Sequence, residues 1–424
     1  MDLLRGLMGM GSLLLVAYIF SMNRSAIKLR VVGAAFLTQL GIGALILFWD
    51  KGRNALEMAA NAVNIVLGYG RAGGQFLFGS LVDFGRMGKA FGGDGAFVFA
   101  FQVLPAIIFV TSLMSVLYYL GIMGWVIRIL GTLMQKLIGV SKVESFNAVA
   151  NIFLGGSEVI PALRPFLNQL KGPHLFCIMT SGMAAVAGSV LAGYAGLGVK
   201  MEYLLAACAM SVPAGLLFAK IMCPTTEEVE FTFKDLKFEE KKPANVIEAA
   251  ASGASIGLQI ALSVGAMLIA FIALIALCNG LIGGIMGLFG HPEWNLNFLM
   301  GHALAPFAWL IGIPWADAAV AGDFIGQKLL LNEFVAYVNF SPYLKDAAAL
   351  NAAGLTALQP TTLVIISFAL CGFANFSSVG IMLGSFTVIA PERRSEVAKM
   401  GLRVVLASSL ANLMSATMAG LFLG

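Results

Sequence analysis

The chain has 424 residues, 59% of them apolar and only 11% charged, whereas a soluble globular domain carries about 25% charged residues. Hydrocarbon tolerates few ions, so the composition points to a chain embedded in a membrane. The net charge of +4 is small and scattered, which excludes a basic nucleic-acid surface.

A transmembrane helix needs about 20 mostly apolar residues. Eight segments meet this in chain order: 3–22, 31–49, 95–120, 175–197, 201–221, 259–289, 361–387 and 402–423. The first is read as a retained span, because the start Met1-Asp2 with Arg5 lacks the basic region and cleavage site of a secretory signal. Residues 54–70 and 121–140 are less uniformly apolar, the second interrupted by Arg128 and Lys136. Both are expected to be amphipathic helices at the membrane surface. Asp83, Arg86 and Asp94 are expected in a loop outside the solute path.

Two stretches fit no simple span. Residues 146–170 hold Gly155, Gly156, Ser157 and Glu158, then Pro161, Arg164 and Pro165; residues 303–340 hold Pro314, Asp317, Asp323, Lys328 and Glu333. Apolar sequence broken by Gly, Pro and ions fits re-entrant hairpins, since irregular backbone survives at membrane depth only inside protein or against a water-filled cavity. The polar stretch 223–245 reads as a solvated connector. With both termini outward, most of the 26 lysines and arginines fall in inner loops, as the positive-inside rule requires.

The order of elements occurs twice. A long helix at 95–120, a broken stretch with Glu158 and helices at 175–197 and 201–221 are followed by a long helix at 259–289, a broken stretch with Glu333 and helices at 361–387 and 402–423. In each copy the helix after the broken stretch has a small or polar centre, around Ser181–Ser189 and Gly372–Ser378, that invites unwinding. The copies enter from opposite sides. Inverted repeats with paired broken elements and midplane polar groups mark secondary transporters. The expected fold is therefore an all-α polytopic membrane protein with eight transmembrane helices, two re-entrant hairpins of opposite orientation, interfacial helices and an inverted repeat. The expected divisions are 1–94, N-terminal scaffold; 95–221, first repeat; 222–258, connector and interfacial helix; and 259–424, second repeat.

Glu158 and Glu333 are acids in apolar surroundings, so each should face a cavity or a partner. They suit either a polyhydroxylated solute or a proton. Asn375 and Ser378 share a face if their segment is helical, and with Glu333 they offer donors and acceptors to a vicinal diol. Arg164, Lys328 and Asp323 read as structural ion partners. The five cysteines form no disulfide framework and the three histidines no metal-ligand spacing, so no cofactor is expected. The membrane segments hold no catalytic Ser/His pair, aspartate pair or metal cluster, which argues against an enzyme. A paired-acid inverted repeat favours alternating access over a channel.

The run Gly326-Gln327-Lys328-Leu329-Leu330-Leu331-Asn332-Glu333-Phe334-Val335-Ala336-Tyr337 resembles the G-x-K-x-x-x-N-E-F-x-A-Y motif of the concentrative nucleoside transporters. Phe368–Asn375 resembles the second hallmark of that family, and Asn151–Glu158 with Arg164-Pro165-Phe166 its first hairpin. The resemblance spans nearly the whole chain. It implies a homotrimer in the membrane lipid of the inner (plasma) membrane, with periplasmic or extracellular termini, importing nucleosides by symport with sodium or protons. It implies that Glu333, Asn375 and Ser378 bind ribose, that Gly156, Ser157 and Glu158 lie beside the base, and that Val190 and Phe373 form apolar walls. It implies a sodium site from Asn151, Leu154, Ala185 and Val186. Two positions depart from the family pattern: Gly156 stands where Gln is common, and Ala185 where Ser is usual. Gly156 is expected to leave room for purine and pyrimidine ribonucleosides alike. Ala185 removes a hydroxyl from the sodium shell, which brings in proton coupling through a carboxylate. The alternative is a carrier of related nucleoside-like solutes.

Overall fold

The computed structural model describes residues 3–91, 97–156, 159–160, 163–167, 169–225, 243–291, 293–345 and 347–424. Ser157, Glu158, Asp94 and most of the polar connector lie outside the described residues.

The N-terminal part contains α1 (Leu3–Ile19), α2 (Leu29–Gly43, continued by a wide turn over Ala44–Phe48), α3 (Asp50–Phe78) and α4 (Phe84–Phe91). The segment expected as a surface helix at 54–70 is the middle of α3, which packs on the next long helix and on α2's wide turn. Arg86 lies in α4 rather than in a loop, its backbone N–H donating to Asp83 Oδ1 at 3.0 Å.

Next come α5 (Leu104–Tyr119), α6 (Ile122–Ile138), α7 (Lys142–Ala150), α8 (Gly172–Ala184), α9 (Gly188–Gly196) and α10 (Met201–Met222). Helix α6 buries Met123, Ile127, Gly131, Met134 and Ile138 and exposes Trp125, Ile129, Leu133 and Leu137. The buried residues recur at helical period, but the exposed side is largely apolar too, with Arg128 and Lys136 among it, so the helix is less amphipathic than expected of 121–140. A capping box starts α7: Glu144 N donates to Ser141 Oγ at 3.3 Å, and Ser141 N donates to Glu144 Oε2 at 3.1 Å.

The C-terminal part contains α11 (Val246–Gly287), α12 (Leu296–Leu310), α13 (Trp315–Leu330), α14 (Glu333–Phe340), α15 (Pro360–Leu370), α16 (Phe376–Ile389) and α17 (Arg394–Leu423). Helix α11 begins at Val246 and has 42 residues, so no separate interfacial helix ends at 258. At 1.5 Å per residue it is about 63 Å long, twice the hydrocarbon thickness. Its first turns are Ala-, Ser- and Gly-rich, which hides them from a hydropathy reading although Asn245 caps them by accepting from Glu248 N at 2.9 Å.

The stretch 303–340 is also more than one hairpin. Its first part belongs to α12, which meets α13 at a 116° bend. Gly312 takes φ +115° in the connection, a region where a Cβ clashes, and Pro314 precedes the first turn of α13. Asp317 fixes this corner by accepting from Thr362 Oγ1 at 2.6 Å and Gln359 N at 3.0 Å. Leu331 and Asn332 then form the turn between α13 and α14.

Helix α5 packs along α11, and α10 along α17. Among the described residues, six segments are long and apolar enough to cross a membrane, seven if the bent α12–α13 pair is one span. This differs from the eight expected because α1 has only 17 residues and 361–387 is split into α15 and α16. The interior is largely apolar, while α2 with its wide turn and α11 present exposed apolar side chains such as Leu37, Leu45, Ile269 and Leu277 outward. This is the expected pattern where lipid is the surrounding solvent.

Candidate solute site at two broken helices

Both helices expected to unwind are broken. Helix α8 ends at Ala184; Ala185 (φ −91°, ψ 170°) and Ala187 (φ −62°, ψ 139°) are extended before α9 begins. Helix α15 ends at Leu370, and Asn375 (φ −147°, ψ 167°) starts α16. The breaks touch, since Phe373 N donates to Ala185 O at 3.3 Å.

Glu333 sits at the first turn of α14 and is 4% exposed. Asn332 caps that helix, accepting from Val335 N at 2.9 Å. The Glu333 carboxylate is held from two sides. Tyr194 OH, from α9, donates to Oε1 at 3.0 Å, and Asn375 Nδ2 donates to Oε2 at 2.9 Å. One acid thereby joins the second hairpin to both broken helices.

Asn375 is not on a helix face with Ser378, as a continuous helix would place it. It is the N-cap of α16: its Oδ1 accepts from Ser378 N at 2.8 Å and from Ser377 Oγ at 2.7 Å. Its amide therefore has a fixed orientation, with oxygen to the helix and nitrogen to Glu333. Tyr194 gave no signal in the sequence, because an aromatic in an apolar helix reads as core filling. Its ring packs on Phe334 and Tyr337 at centroid distances of 4.8 and 4.5 Å. Val190 lies one turn earlier on α9 and is buried, and Phe373 is half-buried in the second break.

The first hairpin approaches the same place. A Cβ on Gly156 would lie 3.0 Å from Gly182 Cα and 3.1 Å from its carbonyl carbon and oxygen. The expectation that Gly156 leaves room is therefore corrected: the missing side chain allows the hairpin backbone to touch α8. Gly156→Gln is expected to push the hairpin away rather than read a base. Overpacking typically costs about 1–3 kcal/mol, so the purified variant should melt below the parent. An unchanged melting temperature would contradict this.

Asn151 and Ala185 line the region below. Asn151 is 1% exposed; its Nδ2 donates to Asn147 O at 2.7 Å, and its Oδ1 is buried with no hydrogen-bond partner. That oxygen points toward Gly182, lying 3.7 Å from where a Cβ there would be. A buried, unpaired carbonyl oxygen suits a small hard cation. The carbonyl of Ala185 already accepts from Phe373 N, while Leu154 is half-buried and Val186 is buried beside the same break. Ser157 and Glu158 lie outside the described residues.

Sequence reasoning also missed a buried ion pair. Lys220 Nζ of α10 donates to Glu144 Oε1 of α7 at 2.6 Å and to Thr225 Oγ1 at 2.5 Å. Asp323 accepts at Oδ2 from Asn297 Nδ2 and Gln327 Nε2, both at 2.9 Å, consistent with a structural role.

Known proteins resemble this chain along its whole length. A family model described as "Na+ dependent nucleoside transporter C-terminus" matches residues 203–420, its N-terminal counterpart matches 8–81, and a model described as "Nucleoside recognition" matches 100–201. The "Putative nucleoside permease NupX" of Escherichia coli (strain K12) is 50% identical over 100% of both chains. "Nucleoside permease NupC" of Helicobacter pylori is 44% identical over 98% of this chain and 97% of its own. The "Structure of CNTnw in an inward-facing substrate-bound state" superposes with a TM-score of 0.93 at 48% identity, covering 100% of each chain. The two named relatives carry permease names, one of them putative, so the protein is a transporter rather than an enzyme, and its all-helical fold superposes on the solved structure along the whole length. The chain is a multi-pass membrane protein that belongs to the concentrative, Na+ dependent nucleoside transporter family.

Proposed function

We propose that the protein is a secondary active symporter that imports nucleosides across the inner (plasma) membrane, driven by a sodium or proton gradient. The observation that carries this reading is Glu333, whose two oxygens meet donors from both broken helices at their crossing point. In this reading Glu333, Asn375 and Ser378 hold the ribose hydroxyls. Gly156, Ser157 and Glu158 border the base, with Val190 and Phe373 as apolar walls. Arriving hydroxyls replace Tyr194 and Asn375 as partners of a carboxylate that is never left unpaired in an apolar site.

Asn151 anchors the cation, aided by the carbonyls of Leu154, Ala185 and Val186. Its unpaired Oδ1 supports sodium; the missing hydroxyl at Ala185 supports coupling through a carboxyl proton instead. The protein works as a homotrimer with both termini outside, each protomer carrying its own site. Repeats 95–221 and 259–424 supply one hairpin each, residues 1–94 the scaffold, and 222–258 the link between the repeats. Both purine and pyrimidine ribonucleosides are taken as solutes.

Competition binding to the purified protein tests the ribose assignment. Uridine and adenosine should displace one another, whereas 2′-deoxyuridine should bind about tenfold or more weakly, the value of one hydrogen bond to a charged group. Free uracil should not compete. Equal binding of uracil and uridine would overturn the assignment. Binding confined to compounds with altered sugars would instead support a carrier of related nucleoside-like solutes.

A further inference from the structure

The back of the crossing point is built as carefully as the front. Lys328, on α13, is 3% exposed. Its Nζ donates to Ala369 O in the last turn of α15 and to Asn412 Oδ1 of α17, both at 2.7 Å. Asn412 is 2% exposed. Its Nδ2 donates to Ala184 O, at the end of α8, at 2.7 Å, and to Cys371 O, just past the end of α15, at 3.2 Å. One ammonium and one amide therefore serve the carbonyl ends of both broken helices. Gly372 makes this approach possible, since a Cβ there would collide with the Asn412 amide.

A helix end carries unsatisfied carbonyls and the negative end of the helix dipole. Broken helices bring such ends to membrane depth, where each unpaired group is costly and a cation is the natural partner. Here three carbonyl oxygens from two helices are served at one node. Asn412 gives both amide hydrogens to two of them and turns its oxygen to the ammonium. The ammonium takes the third. Lys328 also belongs to the same hairpin as Glu333, so this hairpin supplies the acid facing the solute and the cation behind it.

We propose that Lys328 and Asn412 form a built-in cation site, in which the carbonyl ends of both broken helices make a seat for one small monovalent cation and the chain fills that seat with its own ammonium. Lys328 is a positioning residue. Its charge holds the two breaks in register so that Glu333, Tyr194 and Asn375 meet. The transport readout below rests on the proposed nucleoside uptake; the thermal readout does not.

The test compares full-length Lys328→Ala, which empties the seat, with Lys328→Met, which fills it without charge. Melting temperature is measured in detergent and uridine uptake in proteoliposomes, each with ethylammonium chloride, with ethanol at equal concentration, or with neither. Both variants should lose uptake by about tenfold or more, in line with a lost charged hydrogen bond. Ethylammonium should raise the melting temperature of Lys328→Ala and restore part of its uptake. Ethanol should do neither, and Lys328→Met should not respond because its seat is filled. Should Lys328→Ala aggregate, its recovery as a monodisperse protein when purified in ethylammonium but not in ethanol supports the site, and failure in both overturns it. Parent-like uptake by Lys328→Met, or equal effects of ethylammonium and ethanol, also overturns it. A parent that carries no uridine refutes the proposed function, while the melting comparison still decides the cation site.

Discussion

Glu333→Gln should fold normally and lose nucleoside. The carboxylate accepts from Tyr194 OH and Asn375 Nδ2, and a Gln side chain keeps the shape but turns one acceptor into a donor. Asn375 cannot rotate to meet a new donor, because its oxygen is committed to Ser378 N and Ser377 Oγ. The Gln oxygen therefore faces Asn375 and its nitrogen faces Tyr194, whose hydroxyl can turn to accept. Packing is retained, whereas a hydrogen bond from a ribose hydroxyl to a charged acceptor is weakened. That bond is worth roughly 1.5–3 kcal/mol, or about 10- to 150-fold in affinity. Isothermal titration of uridine against parent and variant, with melting temperature as the control, checks it. Parent-like affinity in the variant would remove Glu333 from the site. Asn375→Ala should lose binding as well, and also lose stability, because it removes the cap of α16.

Lys220→Met should be the most destabilising single change outside the solute site. Glu144 is 1% exposed, and among the described residues its carboxylate is paired with the Lys220 ammonium. Removing one member of a buried pair leaves the other charge uncompensated, at a typical cost of about 3–5 kcal/mol. Glu144 also caps α7, so the damage reaches the start of the first hairpin. The variant should melt several degrees below the parent. Adding Glu144→Gln to it should recover part of the loss, since two neutral groups need no mutual compensation. An unchanged melting temperature for Lys220→Met alone would show that the pair contributes nothing.

Much of the architecture is legible in the sequence. Two helices with small polar centres predict breaks, both breaks are present, and Glu333 and Asn375 do meet. What stayed hidden has physical causes. Helix α12 is hidden because His291, Glu293, Asn295 and Asn297 interrupt the hydropathy at its start, and because Pro314 marks a corner rather than a hairpin tip. The start of α11 is hidden because small residues pack well in helices without looking apolar. The pairing of Glu144 with Lys220, 76 residues away, and the service of two helix ends by Asn412 depend on packing between repeats that no spacing encodes. Gly156 was misread in sign: its lack of a side chain serves contact with Gly182, not open space.

The central claim is tested most directly by uridine uptake into proteoliposomes containing the purified protein, with a sodium gradient and a proton gradient imposed separately. Uridine should accumulate above its external concentration under at least one of the two gradients and fall back when that gradient is collapsed by an ionophore. Equilibration of uridine across the membrane without accumulation under either gradient would contradict cation-coupled symport.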